Sequence, residues 1–347
     1  MRGVIEHYRS YLDLPSTPAV TLGEGSTPLV FWDTWGASEI FLKLEGTNPT
    51  GSFKDRGMTV AVTVARREGA QAVICASTGN TAASAAAYAA RAGLKSFVVV
   101  PKGRVTQEKM LQALAHGAQM LAIDGNFDQA LDVVRKTAQE NPAIALVNSV
   151  NPWRLRGQES GAYEIVDDLN RAPAALVLPV GNAGNISAYF HGFRRYGRGI
   201  PRMLGIQAAG ASPLVTGRDF DNPDTVASAI RIGKPASKHF ALEAVEVTHG
   251  GFYAVSDGDI LIAQKELAHG GIFVEPASAA AYAGLKALRD QGELPAGPVV
   301  GILTGTGLKD GTTPRQWIDA TTVEASAERV GDTIVALMEG TGSHVAH

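Results

Sequence analysis

Short apolar segments rich in Val, Ile and Leu alternate along the chain with longer, Ala-rich segments of helical periodicity. The short segments predict strands at 39–45, 72–76, 97–101, 118–124, 144–148, 175–180, 203–208 and 299–304. The longer segments predict helices at 55–69, 81–93, 106–117, 126–140, 157–170, 185–197, 278–291 and 325–339. This alternation predicts an α/β fold of mostly parallel sheets flanked by helices.

Loops of small polar residues follow several of the predicted strands. In parallel sheets, ligands bind at the carboxyl ends of the strands, where loops lead into helix N-termini. The loop 77–81 (STGNT) offers hydroxyls and backbone N–H groups that suit a carboxylate or phosphate, although a plain capped helix is the alternative. The loop 181–185 (GNAGN) has glycines that let a phosphate approach, although a plain turn is the alternative.

Two further loops leave two interpretations open. In the segment 148–154 (NSVNPWR), Arg154 either clamps an oxyanion through its guanidinium or is an ordinary solvated arginine. In the segment 304–310 (TGTGLKD), Thr304 either hydrogen-bonds a heterocycle or forms a turn.

Lys54, in the segment GSFKDRG, lies at the predicted start of a helix and next to Phe53. The helix dipole and partial burial both disfavour the ammonium form, so Lys54 is a candidate Schiff-base nucleophile. A solvated surface lysine is the alternative. We interpret Asp55 as a helix-start acid and Arg56 as a member of a local ion pair.

Composition narrows the class of protein. A chain of 347 residues with 45% hydrophobic residues predicts about two globular domains. The net charge is −3 and the basic residues are scattered, so we expect neither nucleic acid nor a membrane as a partner. The single cysteine, Cys75, and the absence of an apolar leader predict a cytoplasmic location. Histidine and cysteine spacing is not that of a zinc site, so no metal is expected.

Several motifs occur together and in order, and they resemble those of the threonine synthases. These are pyridoxal-phosphate enzymes of the fold type II, tryptophan synthase β-like group. The resemblance runs from about Thr27 to Asp310, and its motifs lie at 44–57, 75–90, 148–152, 179–185 and 275–280.

The resemblance implies the cofactor pyridoxal 5'-phosphate and a set of site residues. Lys54 would form the Schiff base and act as the catalytic residue. The other cofactor contacts would come from Phe53, Asn80, Gly181, Asn182, Ala183, Gly184, Asn185 and Thr304. The substrate would be bound by Ser77, Thr78, Thr81, Asn148, Ser149, Arg154 and Asn182.

The implied reaction converts O-phospho-L-homoserine and water to L-threonine and phosphate. Departures from the family pattern occur at Arg156, Glu159, Lys238 and Thr306, and we expect the first two beside the substrate phosphate. They leave alternatives open: replacement or elimination on another O-phospho amino acid, as in cysteate synthase or a sulfhydrylase, and threonine dehydratase.

The resemblance also implies how the chain is divided. Residues 1–49 and 148–320 would form a large cofactor-binding domain, residues 50–147 a small mobile domain, and residues 321–347 a C-terminal helix and tail. A homodimer is expected, because that is usual in this group.

Overall fold

The computed structural model describes residues 2–14, 16–103, 107–318 and 322–338. The strands are β1 Leu29–Trp35, β2 Ser38–Leu44, β3 Ala72–Ala76, β4 Lys95–Pro101, β5 Gln119–Ile123, β6 Ile144–Leu146, β7 Ala175–Pro179, β8 Arg202–Ala208, β9 Gly251–Val255 and β10 Gly297–Leu303. The helices are α1 Val4–Tyr8, α2 Lys54–Arg67, α3 Asn80–Ala92, α4 Gln107–Ala115, α5 Phe127–Glu140, α6 Pro152–Gln158, α7 Ser160–Leu169, α8 Gly184–Tyr196, α9 Pro213–Thr216, α10 Lys238–Val247, α11 Asp257–His269, α12 Pro276–Asp290 and α13 Val330–Met338.

The strands form two sheets. The larger has six strands in the order β1-β2-β10-β7-β8-β9, and the smaller has four in the order β5-β4-β3-β6. All pairings are parallel except β1 with β2, which are antiparallel. The predicted α/β class with mostly parallel sheets is confirmed.

Both sheets are buried on two faces, as parallel sheets require. On β3, Val73 and Cys75 pack with α2 and α3, whereas Ile74 and Ala76 pack with α5. The central strands of the larger sheet alternate in the same way between α7 and α8 on one face and α11 and α12 on the other. Cys75 is fully buried in the core.

The structure corrects some predicted elements. The helix predicted at 157–170 is two helices, and the first begins at Pro152, where the side chain of Asn151 caps it. The helix predicted at 278–291 begins earlier, at Pro276. The sequence patterns missed β1, β9, α1, α9, α10 and α11.

The predicted C-terminal helix is shorter than expected, because it starts at Val330. Residues 319–321 and 339–347 of the predicted domain end and tail lie outside the described residues. Within the described ranges, no helix is long and apolar enough to cross a membrane.

Candidate active site

Lys54 is the first residue of α2, and backbone contacts from the larger sheet hold it in place. The Phe53 N–H donates to the Thr304 carbonyl at 3.0 Å, and Ser52 pairs with Gly305 in an isolated antiparallel bridge. The start of α2 is therefore fastened to the segment that follows β10, so Lys54 and Thr304 lie in one site although 250 residues separate them in the chain.

The surroundings of Lys54 disfavour its charged form. Its Nζ lies 3.9 Å from the centre of the Phe53 ring, and the side chain is only partly exposed. Burial lowers the pKa of Lys54 to about 7, the positive charge of Arg154 adds to this effect, and Glu275 opposes it. The amine is therefore available as a nucleophile and as a proton acceptor near neutral pH.

Arg154 is fully buried, so the solvated alternative is wrong. Its Nη1 donates to the Val147 carbonyl at 2.7 Å, but Nε and Nη2 have no hydrogen-bond partner among the described residues. A buried guanidinium with free donors is costly unless an anion binds it. Arg154 also lies on the first turn of α6, not in a loop as predicted.

The loop 181–185 approaches its neighbours closely. A Cβ on Gly181 would lie 3.0 Å from the Cα of Ile230, and Ala183 adopts φ 65°, which is unfavourable for a residue with a Cβ. The loop leads into the N-terminus of α8, where backbone N–H groups point outward. Both polar atoms of the Asn185 side-chain amide are buried and have no hydrogen-bond partner in the described part of the chain.

The loop 77–81 follows β3 and leads into α3, as predicted. Asn148, from the segment after β6, holds its base: the Asn148 amide accepts from the Ala76 N–H at 3.0 Å and donates to the Ala76 carbonyl at 2.9 Å. The hydroxyls of Ser77, Thr78 and Thr81 lie beyond this point on partly exposed residues.

The remaining predicted residues join these loops. A Cβ on Gly184 would lie 4.0 Å from the Cβ of Ser149, so the segment after β6 borders the 181–185 loop. Asn182 is tied to the start of α10, since its carbonyl accepts from the Ser237 N–H at 3.1 Å. The segment after β6 thus links the 77–81 loop to the 181–185 loop.

Two residues of this site were not singled out from the sequence. The Ser278 hydroxyl lies 3.1 Å from the Thr304 hydroxyl and accepts from the Gly305 N–H at 2.8 Å. Glu275, at the N-cap position of α12, accepts hydrogen bonds from the Asn80 amide. Both lie within 275–280, one of the motifs that resemble those of the threonine synthases.

Arg56 was expected to form a local ion pair, but it does not pair with Asp55. It is fully buried and bonds Glu45 at 2.6 Å and Glu164 at 2.6 Å. Asp55 instead accepts from the Thr50 N–H at 2.7 Å and the Ser84 hydroxyl at 2.6 Å. These bonds anchor the first turn of α2 on both sides.

Arg156 and Glu159 do not lie beside Arg154, contrary to the expectation. Positions 154 and 156 differ by about 200° around a helix, so their side chains point to opposite faces. Arg156 pairs with Asp13 at 3.3 Å, and Glu159 pairs with Arg195 at 2.9 Å. This departure from the family pattern belongs to a structural ion cluster.

The other two departures lie close to the site. Lys238 begins α10 directly after Ser237, which bonds the 181–185 loop. The Thr306 N–H donates to the Gly51 carbonyl at 3.0 Å, in the turn before Lys54. These two positions, unlike Arg156 and Glu159, border segments that shape the site.

The donor set fits pyridoxal phosphate. A lysine that is uncharged near neutral pH suits an aldehyde, and a glycine-containing loop at a helix N-terminus with an unpartnered Asn185 amide suits a phosphate.

The chain belongs to the family of pyridoxal-phosphate dependent enzymes, whose family pattern matches residues 20–305. Within that family, threonine synthases are about half identical to this chain over most of its length.

The relatives match over most of their length. The threonine synthase of Halalkalibacterium halodurans is 49% identical over 329 residues, which cover 92% of this chain and 92% of that protein. The threonine synthase of Mycobacterium tuberculosis is 53% identical over 320 residues, with 89% of each chain covered. That of Methanocaldococcus jannaschii is 48% identical, with 87% and 80% covered.

Solved structures share the fold at low identity. Threonine deaminase isoform 2 from Solanum lycopersicum aligns with a TM-score of 0.75 at 22% identity, covering 89% of this chain and 91% of that chain. Serine racemase from Dictyostelium discoideum aligns with a TM-score of 0.71 at 21% identity, covering 87% and 97%. These confirm the fold type II architecture.

Proposed function

We propose that the protein is a threonine synthase, which converts O-phospho-L-homoserine and water to L-threonine and phosphate. The buried guanidinium of Arg154, with two unpartnered nitrogen atoms near Lys54, carries this proposal. A substrate that bears its own phosphate requires an oxyanion site in addition to the one for the cofactor. The threonine synthase relatives at about half identity support the same reaction.

Pyridoxal phosphate, when bound, supplies an electron sink that stabilises negative charge on the substrate carbon bearing the amino group. Lys54 would hold it covalently, with Phe53 alongside. The N–H groups at the start of α8 would bind its phosphate, together with Asn185. Asn80 and Thr304 would orient the ring through their polar side chains. The loop residues around the phosphate would be Gly181, Asn182, Ala183 and Gly184.

The substrate has two anionic ends, and the site has a group of residues for each. The hydroxyls and N–H groups of the loop 77–81, including Ser77 and Thr78, would bind the carboxylate. Arg154 would bind the phosphate bidentately. The other phosphate ligands would be Thr81, Asn148, Ser149 and Asn182.

Lys54 would carry the proton transfers. Once the substrate amine has displaced it, its amine would remove protons from Cα and Cβ, because a pKa of about 7 suits both acceptance and donation. Phosphate would then leave Cγ as an oxyanion held by Arg154. Addition of a proton to Cγ, addition of water at Cβ with its second proton passing to Lys54, and return of a proton to Cα would complete threonine.

The test is phosphate release from the protein loaded with pyridoxal phosphate, measured with O-phospho-L-homoserine, O-phosphoserine and O-phosphothreonine. We expect phosphate and threonine in equal amounts from the first substrate only. Lys54→Ala should abolish both, whereas Lys102→Ala, an exposed lysine, should change neither.

Other products would overturn the proposal. Phosphate from O-phosphoserine, but not from O-phospho-L-homoserine, would favour a replacement enzyme for another phospho amino acid. A 2-oxo acid formed from threonine would favour a dehydratase. Arg156 pairs with Asp13, and Glu159 pairs with Arg195. Because both lie away from Arg154, these two departures give no support to a replacement enzyme for another phospho amino acid.

We also propose the larger organisation of the molecule. Residues 1–49 and 148–320 would form the large domain, residues 50–147 a small mobile domain, and residues 321–347 a C-terminal helix and tail. A homodimer in the cytoplasm is the expected form, and the buried, unpaired Cys75 suits a reducing compartment. Light scattering of the purified protein tests the dimer.

A further inference from the structure

Glu275 is a buried carboxylate where segments of both sheets meet. It is 7% exposed, and its two oxygens accept from the Asn80 Nδ2 at 3.0 and 3.1 Å. Its own N–H donates to the Gly305 carbonyl at 3.2 Å. Glu275 therefore joins α3, which packs on the four-stranded sheet, to the turn that follows the central strand β10.

The carboxylate also has a defined direction. A Cβ on Gly305 would lie 2.6 Å from Glu275 Oε1, so the carboxylate rests against the backbone next to Thr304. Because a carboxylate only accepts hydrogen bonds, it holds the Nδ2 end of the Asn80 amide toward itself. The orientation in which Asn80 meets a ligand is thus set by a residue far away in sequence.

Charges of both signs face Glu275. Burial raises the pKa of Glu275 and Asp310 adds to this, whereas the hydrogen bond from Asn80 and the charges of Lys309 and Lys54 favour its ionised form. Lys309 is held in place, because its Nζ donates to Gln112 Oε1 at 2.8 Å. Among the groups that act on Lys54, Arg154 disfavours the positive charge and Glu275 favours it. Glu275 thus offsets the field of Arg154 at the nucleophile.

We propose that Glu275 is a positioning residue with two effects: it fixes the amide of Asn80, and its negative charge favours the protonated form of the nitrogen at Lys54. The proposal rests on cofactor binding at Lys54, which the proposed function shares, and not on the identity of the substrate. The two effects separate in two variants, because glutamine keeps a hydrogen-bond acceptor and loses the charge, whereas alanine loses both.

The experiment is a pH titration of the absorbance of the bound cofactor, with the cofactor Kd measured in parallel. In Glu275→Gln, we expect the midpoint to fall by about one pH unit, as for the loss of one neighbouring opposite charge, with Kd nearly unchanged. In Glu275→Ala, we expect the same shift and a Kd raised about tenfold through the loss of the Asn80 anchor. The control is Glu68→Gln, on an exposed residue, which should match the wild type.

Two results would overturn the proposal. A Glu275→Gln midpoint equal to that of the wild type would show that the charge of Glu275 has no effect. An unchanged Kd in Glu275→Ala would show that Glu275 does not position Asn80. Circular dichroism identifies variants that fail to fold, and the isosteric glutamine variant tests the charge even where the alanine variant does not fold. A wild type that binds and titrates the cofactor but releases no phosphate from O-phospho-L-homoserine contradicts only the proposed function.

Discussion

At the scale of single residues, Lys54 shows how much of a side chain's pKa shift its sequence neighbours predict. A lysine beside Phe53 at a helix start predicts a weakened ammonium, and the lowered pKa of about 7 agrees with this prediction. The larger causes are burial and Arg154, which is 100 positions away in the chain. The sequence predicted the direction of the effect and burial as one of its causes, but not the contribution of Arg154.

This environment predicts how the protein takes up its cofactor. Because Lys54 has a pKa of about 7, its reactive neutral form increases as the pH rises through 7 and then saturates. We expect the rate at which the apo protein reacts with pyridoxal phosphate, followed by stopped-flow absorbance, to level off above about pH 8. Arg154→Met should move this midpoint upward, and Arg194→Met, on an exposed residue, should not. A rate that still climbs tenfold per unit at pH 9 would contradict this account.

At the scale of elements, the start of α2 depends on a buried ion network. The guanidinium of Arg56 meets both oxygens of Glu45 and both of Glu164, and Lys43 also pairs with Glu164 at 3.0 Å. Glu45 follows β2 and Glu164 lies in α7, so the network fastens α2 to the larger sheet. Lys54 is two residues from this anchor.

Removal of Arg56 should destabilise the fold strongly. Arg56→Met leaves Glu45 buried without a cation and Glu164 with Lys43 alone, which costs about 3–5 kcal/mol of unfolding free energy. The measurement is urea unfolding followed by circular dichroism. The matched control is Arg67→Met, at the exposed end of the same helix, where we expect a change within about 0.5 kcal/mol. Equal effects in the two variants would show that the network is not an anchor.

The helix and strand boundaries also show what the local sequence pattern predicts and what it fails to predict. The predicted strands of the sheet interiors agree with the structure within about two residues, because buried parallel strands form continuous apolar runs. The sequence patterns missed β1 and β9, which are edge strands and bury only part of their residues. The periodicity also ran through Glu159 and so merged two helices.

At the scale of the whole molecule, side chains cross between the two sheets around the site. Glu275 bonds Asn80, and Lys309 bonds Gln112, whose Nε2 in turn donates to the Thr50 carbonyl at 3.2 Å. These contacts across the site are polar, and polar contacts permit relative movement more readily than the apolar packing of Val60 and Val64 of α2 in the core of the larger sheet. Closure of residues 50–147 over the substrate stays a prediction.

Closure has a measurable consequence. A non-reacting phosphonate analogue of the substrate would contact Arg154 on α6 and the loop 77–81 at once, so it should draw the two parts together. We expect the radius of gyration from small-angle X-ray scattering to fall when the analogue binds the loaded protein. An analogue without the phosphonate group should have less effect. Superimposable profiles with and without the phosphonate would contradict closure.

The sequence by itself determined the alternation of strands and helices, the polar loops at the strand ends and the lysine at a helix start. These follow from short-range periodicity and backbone chemistry, which a chain carries locally. Only the tertiary structure decided the partners of the buried charges: Glu164 for Arg56, Asn80 for Glu275, and, within the described ranges, no hydrogen-bond partner for two nitrogens of Arg154. A buried charge must be compensated by whatever the fold brings next to it, and here those groups come from distant segments.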